Sequence, residues 1–215
     1  MTTISAKPRL RGWLHTGALP VTLVAGFALV ALGPTLQARL ASAIYAITSG
    51  LLFGISATYH RGTLGPRLAE VLRRFDHANI YLIIAGTYTP FALLALDGAA
   101  RVAVLVVIWG GALSGVLFRV FWMSAPRWLY TLLYLALGWT AIFVMPQLLE
   151  GAGVVAVVLV AVGGAFYTAG AIVYGLRRPD PSPGWFGYHE VFHAFTVAAY
   201  VVQYIAVSIV VYSQA

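Results

Sequence analysis

The 215-residue chain contains no cysteine, a single lysine (Lys7) and only six acidic residues. Without cysteine there is no disulfide, no thiolate metal site and no thiol nucleophile. A transition metal would have to be held by histidine and carboxylate, with histidine favouring zinc or a neighbouring borderline metal. The lone lysine stands in the N-terminal tail, so no apolar run offers a Schiff-base amine and a retinal pigment is excluded. Charge of either sign is scarce, at 9% of residues, against roughly 25% in a soluble domain. With 61% hydrophobic residues and a mean hydropathy of +0.88, the composition is that of a membrane protein. A net charge of +7 would suggest nucleic acid for a soluble chain. Here it reports membrane topology instead, and no nucleic-acid partner is expected.

What the chain has in abundance is long apolar runs. A membrane span needs about 20 apolar residues, and seven segments meet that length: 14–33, 38–59, 75–96, 100–121, 128–146, 153–175 and 188–212. The connections are short and polar or rich in Gly and Pro, as in "GPTLQAR", "LDGAAR" and "RRPDPSPG". The expectation is one all-α domain over 1–215, a seven-helix transmembrane bundle. Gly111 and Gly115 stand at G-x-x-x-G spacing and the sixth run is glycine-rich, which reads as close helix packing.

The basic residues set an orientation. Lys7, Arg9 and Arg11 precede the first run. Arg61, Arg67, Arg73 and Arg74 lie between the second and third, Arg119 and Arg127 between the fourth and fifth, and Arg177 and Arg178 after the sixth. All eleven fall on one side of the membrane, and only Arg39 and Arg101 fall on the other. The positive-inside rule then predicts a cytoplasmic N-terminus, read as a retained basic tail, and a C-terminus outside.

The chemistry collects at that basic side. His15, His60, His77, His189 and His193 all lie at cytoplasmic helix ends. The pentapeptide "HEVFH" (189–193) matches H-E-x-x-H, in which two His on one helix face hold zinc and the Glu is general base. His189 and His193 are one turn apart on one face. "SATYH" places Ser56 one turn from His60, and Asp76 stands near the start of the third run, where an acid is costly without a partner. A single His at a helix end is ordinarily an interfacial hydrogen-bonding group, the plain reading for His15 and His77. Ser56 alone would be helix glue. The coincidence of His60, Asp76, His189 and His193 at one depth points instead to a zinc site with a position open to water.

A protease of the intramembrane site-2 kind would need a distant Asp motif, and "LDG" (96–98) offers one. Its order relative to "HEVFH" is reversed. Asp97 also ends its run at the opposite face, about 30 Å away, whereas ligands must approach to about 2 Å. "LDG" is a turn.

These elements together resemble the hemolysin III / progestin and adipoQ receptor (PAQR) family, grouped with the alkaline ceramidases among membrane hydrolases. The resemblance rests on Ser-x-x-x-His in "SATYH", the Asp of "RFDHANIYLIIAGTYTPF", His-x-x-x-His in "HEVFH" and the opening "PRLRGWLHTGALP". It implies zinc held by His60, His189 and His193, with Asp76 contacting the catalytic water and Ser56 beside it, in a seven-helix bundle of the bacterial plasma membrane. It also implies membrane lipids as partners and leaves Glu190 outside the ligand set. Two functions follow: a zinc-dependent hydrolase of a lipid amide or ester at the inner leaflet, or a non-enzymatic regulator of membrane state with a structural zinc. A pore is disfavoured, because mid-span polar residues such as Gln203 make no continuous polar path.

Overall fold

The computed structural model describes residues 7–214, so the first six residues of the basic tail lie outside the described residues. The chain order is α1 (Trp13–Leu32), α2 (Leu36–Arg61), α3 (Pro66–Ala95), α4 (Gly98–Phe121), α5 (Arg127–Gly138), a 3-10 segment (Trp139–Val144), α6 (Met145–Leu176) and α7 (Tyr188–Tyr212). Among the described residues there is no strand, only an isolated bridge between Ser182 and Phe186. Local chemistry sets several boundaries. Thr35 caps α2 by accepting the Ala38 N–H at 3.1 Å. Pro66 opens α3 at the position where a missing N–H costs nothing.

Six helical segments are long and apolar enough to cross a membrane. Side chains such as Phe27, Phe121 and Phe143 are 74–84% exposed, an outward apolar surface that suits lipid and would aggregate in water. The fifth segment, Arg127–Leu176, runs for 50 residues, where the sequence predicts separate runs over 128–146 and 153–175. A straight helix of that length would reach about 75 Å, more than twice the hydrocarbon thickness. The chain doubles back instead. Arg127 Nη1 donates to the Tyr174 carbonyl at 3.2 Å and Trp139 Nε1 to Thr168 Oγ1 at 3.1 Å, so α5 runs antiparallel beside the end of α6.

Two devices make the reversal possible. Tyr88 Oη donates to the Gly138 carbonyl at 2.6 Å and accepts the Ala141 N–H at 2.7 Å. It thereby pairs backbone groups that the broken helix leaves free. Gly153 adopts φ 79°, ψ 163°, a region essentially restricted to glycine. Gly153→Ala is expected to cost about 1–3 kcal/mol. In a thermal melt of the purified protein that is a fall of roughly 2–4 °C per kcal/mol. Gly164→Ala, in the same helix with open space around it, should leave the melt unchanged or slightly raised.

The helix α3 is the hub, packing against α2, α4, α5, α6 and α7. It begins at Pro66, nine residues before the predicted run, because nothing between Pro66 and the membrane breaks a helix. The sequence masks this extension, since its Arg and Glu residues lower the hydropathy. Asp76 consequently sits ten residues into α3, almost three turns from its start. Gly115 of the G-x-x-x-G pair lies against the ring of Tyr81 in α3, while Gly111 faces Leu137 of α5. The two glycines therefore admit side chains from two elements.

One buried residue is unusual. Arg119, at 2% exposure, lies over the ring of Tyr130 at 4.2 Å. Its one hydrogen bond among the described residues is a long one, Nη1 to the Trp122 carbonyl at 3.4 Å. Its Nε has no partner. A cation–π contact contributes about 0.5–2 kcal/mol, whereas burying an ion costs several kcal/mol. Desolvation outweighs what the protein returns.

Candidate metal centre

Three helix ends meet at one end of the bundle: the start of α1, the end of α2 and the start of α7. His60 occupies the last turn of α2, and His189 and His193 the first two turns of α7. The three rings offer ligand nitrogens all within 4.8 Å of one another. His189 Nε2 and His60 Nε2 stand 3.3 Å apart. Two nitrogens bound tetrahedrally to zinc at 2.0–2.1 Å are separated by about 3.3 Å. The donor set is also right for such an ion: three imidazoles, two of them buried, with His193 Nδ1 lacking any partner. The residues present fit a zinc ion.

Asp76 approaches from α3. Its Oδ2 lies 3.8 Å from His60 Nε2 and 3.7 Å from His77 Nδ1, beyond hydrogen-bond reach of either. Ser56 is buried one turn from His60, with its Oγ unpartnered. Ser56, Asp76, His189 and His193 share the wall of one cavity with about 140 Å³ of room. Beyond these groups the wall is mainly apolar, with Ile80, Ile84, Leu135, Val160 and Phe192 among its residues, and the cavity continues between α3, α5, α6 and α7 to Gln203. His77 turns away from the three-His group: its Nδ1 pairs with the Arg73 carbonyl at 2.8 Å and its Nε2 with Tyr174 Oη at 3.2 Å.

His15 is the residue that sequence reasoning left at the interface. It is buried at 3% exposure and its ring stacks on His193 with centroids 3.7 Å apart, inclined by 6°. Neither of its nitrogens has a partner. The depth it shares with the other histidines was visible in the sequence. Its inward orientation was not read, although Thr22 and Gly26, which share its buried face at helical spacing, were the signal available.

Glu190 is committed elsewhere. Its Oε2 accepts the Gly187 N–H at 2.8 Å, closing the first turn of α7. Its Oε1 pairs with Arg11. The same N-terminal segment is tied to the α6–α7 loop by Arg9 N–H to the Gly184 carbonyl at 3.0 Å and Leu10 N–H to the Trp185 carbonyl at 3.1 Å. The Arg9 guanidinium covers the Trp185 ring at 4.5 Å. At Gly12, with φ 81°, a Cβ would fall 2.6 Å from His60 Cβ. The segment thus lies directly over the histidine cluster, and only glycine lets it come so close.

Comparison with known proteins gives the family. The sequence profile described as "Haemolysin-III related" matches residues 4–204. Two relatives are each 34% identical to the chain. A protein named "Hemolysin-3 homolog" from Bacillus subtilis (strain 168) aligns over 152 residues, 69% of this chain and 67% of the relative. One named "Hemolysin-3" from Bacillus cereus aligns over 140 residues, 65% of this chain and 64% of the relative. The matched stretch thus spans about two thirds of each relative's length. A profile that matches nearly end to end, on a helical chain with six segments able to cross a membrane, makes this an integral membrane protein that belongs to the haemolysin-III related family.

Proposed function

We propose that the protein is a zinc-dependent hydrolase that cleaves an amide or ester of a membrane lipid. The observation that carries this reading is the placement of the His60–His189–His193 triangle beside a carboxylate and a hydroxyl on the wall of a largely apolar cavity. Zinc bound there would polarise the scissile carbonyl and acidify water towards a pKa of about 7. The chain's own residues supply the rest. Asp76 accepts the proton of the attacking water and returns it to the leaving group. Ser56, whose buried hydroxyl has no other partner, donates a hydrogen bond to the developing oxyanion. The apolar wall from Ile80 to Phe192 holds the hydrocarbon chain and excludes bulk water. Hydrolysis is tested by incubating purified protein with long-chain amides and esters and measuring fatty-acid release. Release that disappears on zinc removal and returns on readdition is the expected result.

A structural zinc in a non-enzymatic membrane regulator is favoured by a different observation. The three ligands come from α2 and α7 alone, two helices that meet through long side chains such as Phe53 and Tyr200. An ion there would tie them together. Zinc that raises the melting temperature, with no substrate turned over, would identify this role.

The proposal includes a topology. Seven crossings in one domain, with the Arg127–Leu176 segment crossing twice, are supported by the reversal described above. The eleven-to-two basic split supports a cytoplasmic N-terminus in the bacterial plasma membrane, which places the metal centre at the inner leaflet. Single cysteines at Arg67 and Asp180 should resist impermeant thiol reagents in intact cells, while one at Asp97 should react. The opposite pattern would invert the orientation.

A further inference from the structure

We propose that Arg119 and Arg127, gathered at the α4–α5 turn, form a binding site for the phosphate of an anionic phospholipid. The proposal does not depend on the hydrolase reading, although Tyr174, beneath Arg127, also lines the cavity beside the histidines. It begins with the buried Arg119 guanidinium, five donors of which one makes a long hydrogen bond and Nε makes none. The protein offers it no counter-ion. No acidic residue occurs between Asp97 and Glu150, so α4, α5 and the turn joining them carry arginines alone. On the facing helix α3, Glu70 is already paired with Arg74 at 2.6 Å, and Asp76 is turned towards His60 and His77. The end of α6 adds only Arg177 and Arg178.

The cations are arranged together. Arg119 lies over Tyr130 at 4.2 Å and Arg127 over Tyr174 at 4.9 Å, and these two rings are neighbours at 6.4 Å. Arg74 reaches the carbonyl of Val120, the residue after Arg119. Planar guanidiniums held on aromatic faces present donors that recognise phosphate in a bidentate manner; Arg127 spends Nη1 on the Tyr174 carbonyl at 3.2 Å, whereas Arg119 keeps Nε without a partner. The source of the phosphate is indicated by the rim of the turn. Phe121, Trp122 and Trp128 are 80%, 48% and 63% exposed, and exposed tryptophans of this kind mark the headgroup level of a bilayer. A basic cluster between membrane helices at that level is a site for an anionic headgroup.

The test uses the full chain purified in detergent, with native mass spectrometry after addition of phosphatidylglycerol or phosphatidylcholine. Each arginine near a charged headgroup contributes about fivefold in affinity, so wild type should retain phosphatidylglycerol roughly tenfold or more over phosphatidylcholine. Arg119→Gln and Arg127→Gln should each cut that preference about fivefold, and Arg101→Gln at the opposite end of the bundle should not change it. Should Arg119→Gln fail to fold, Arg127→Gln, half-buried at the turn, carries the measurement. Equal retention of the two lipids by wild type, or an unchanged preference in either foldable variant, overturns the proposal. Millimolar inorganic phosphate distinguishes the sources. If it leaves the lipid bound, the ligand is a headgroup. If it displaces the lipid and raises the melting temperature only when Arg119 is present, the same site takes a soluble phosphate and the lipid assignment falls.

Discussion

Alanine at any one of His60, His189 or His193 is expected to take the purified protein from about one zinc per chain to nearly none. The remaining pair of imidazoles cannot complete a structural or a catalytic zinc site. Loss of an outer hydrogen-bond partner alone weakens a metal site by about 10–100-fold, and loss of a direct ligand costs more. His15→Ala and His77→Ala serve as controls, and both should retain zinc. His15 meets the cluster by ring stacking on His193, and both nitrogens of His77 are occupied by Arg73 and Tyr174. Full zinc content in His60→Ala, measured by elemental analysis, would show that a different residue completes the triangle.

The second large effect separates the two carboxylates near the centre. Asp76→Asn is expected to keep zinc and lose function by about 10²–10⁴-fold, the usual consequence of losing a positioned general base. Glu190→Gln is expected to keep zinc and most of its function, because both oxygens of Glu190 are already used by Arg11 and Gly187. The structure adds a cost in stability: the substitution leaves Arg11 without its anion, at about 1–3 kcal/mol. That is visible as a lowered melting temperature. The readout of function is lipid hydrolysis or, failing that, complementation of a deletion phenotype. An inactive Glu190→Gln beside an active Asp76→Asn would return "HEVFH" to the zinc-protease mechanism. Full function in both variants would favour the structural zinc.

These outcomes trace how much of the protein can be read before folding. The apolar runs announce a membrane chain, because helix length and hydrocarbon thickness are matched by simple geometry. His189 and His193 announce a ligand pair, because their spacing on one helix needs nothing beyond the 3.6-residue period. The depth shared by the histidines is likewise legible, since each stands at the end of an apolar run on the basic side. Length misleads where charge and helix coexist. The first nine residues of α3 are polar enough to pass for a loop, whereas the break between the runs at 128–146 and 153–175 is legible, and the reversal within Arg127–Leu176 falls there. That reversal depends on Gly153 and on Tyr88, a residue 50 positions before Gly138.

Local properties, then, were determined by the sequence alone: the membrane class, the approximate helices, the two-ligand spacing and the side on which the basic residues gather. Only the tertiary structure decided which groups converge. It brought His60 against His189, turned His77 away and stacked His15 on His193. It also joined Glu190 to an arginine 179 residues distant and buried Arg119 without a counter-ion. The physical reason is rotational. A helix that is apolar all round has no stripe to say which face turns inward, so each helix's rotation about its axis is settled by packing between segments remote in the chain.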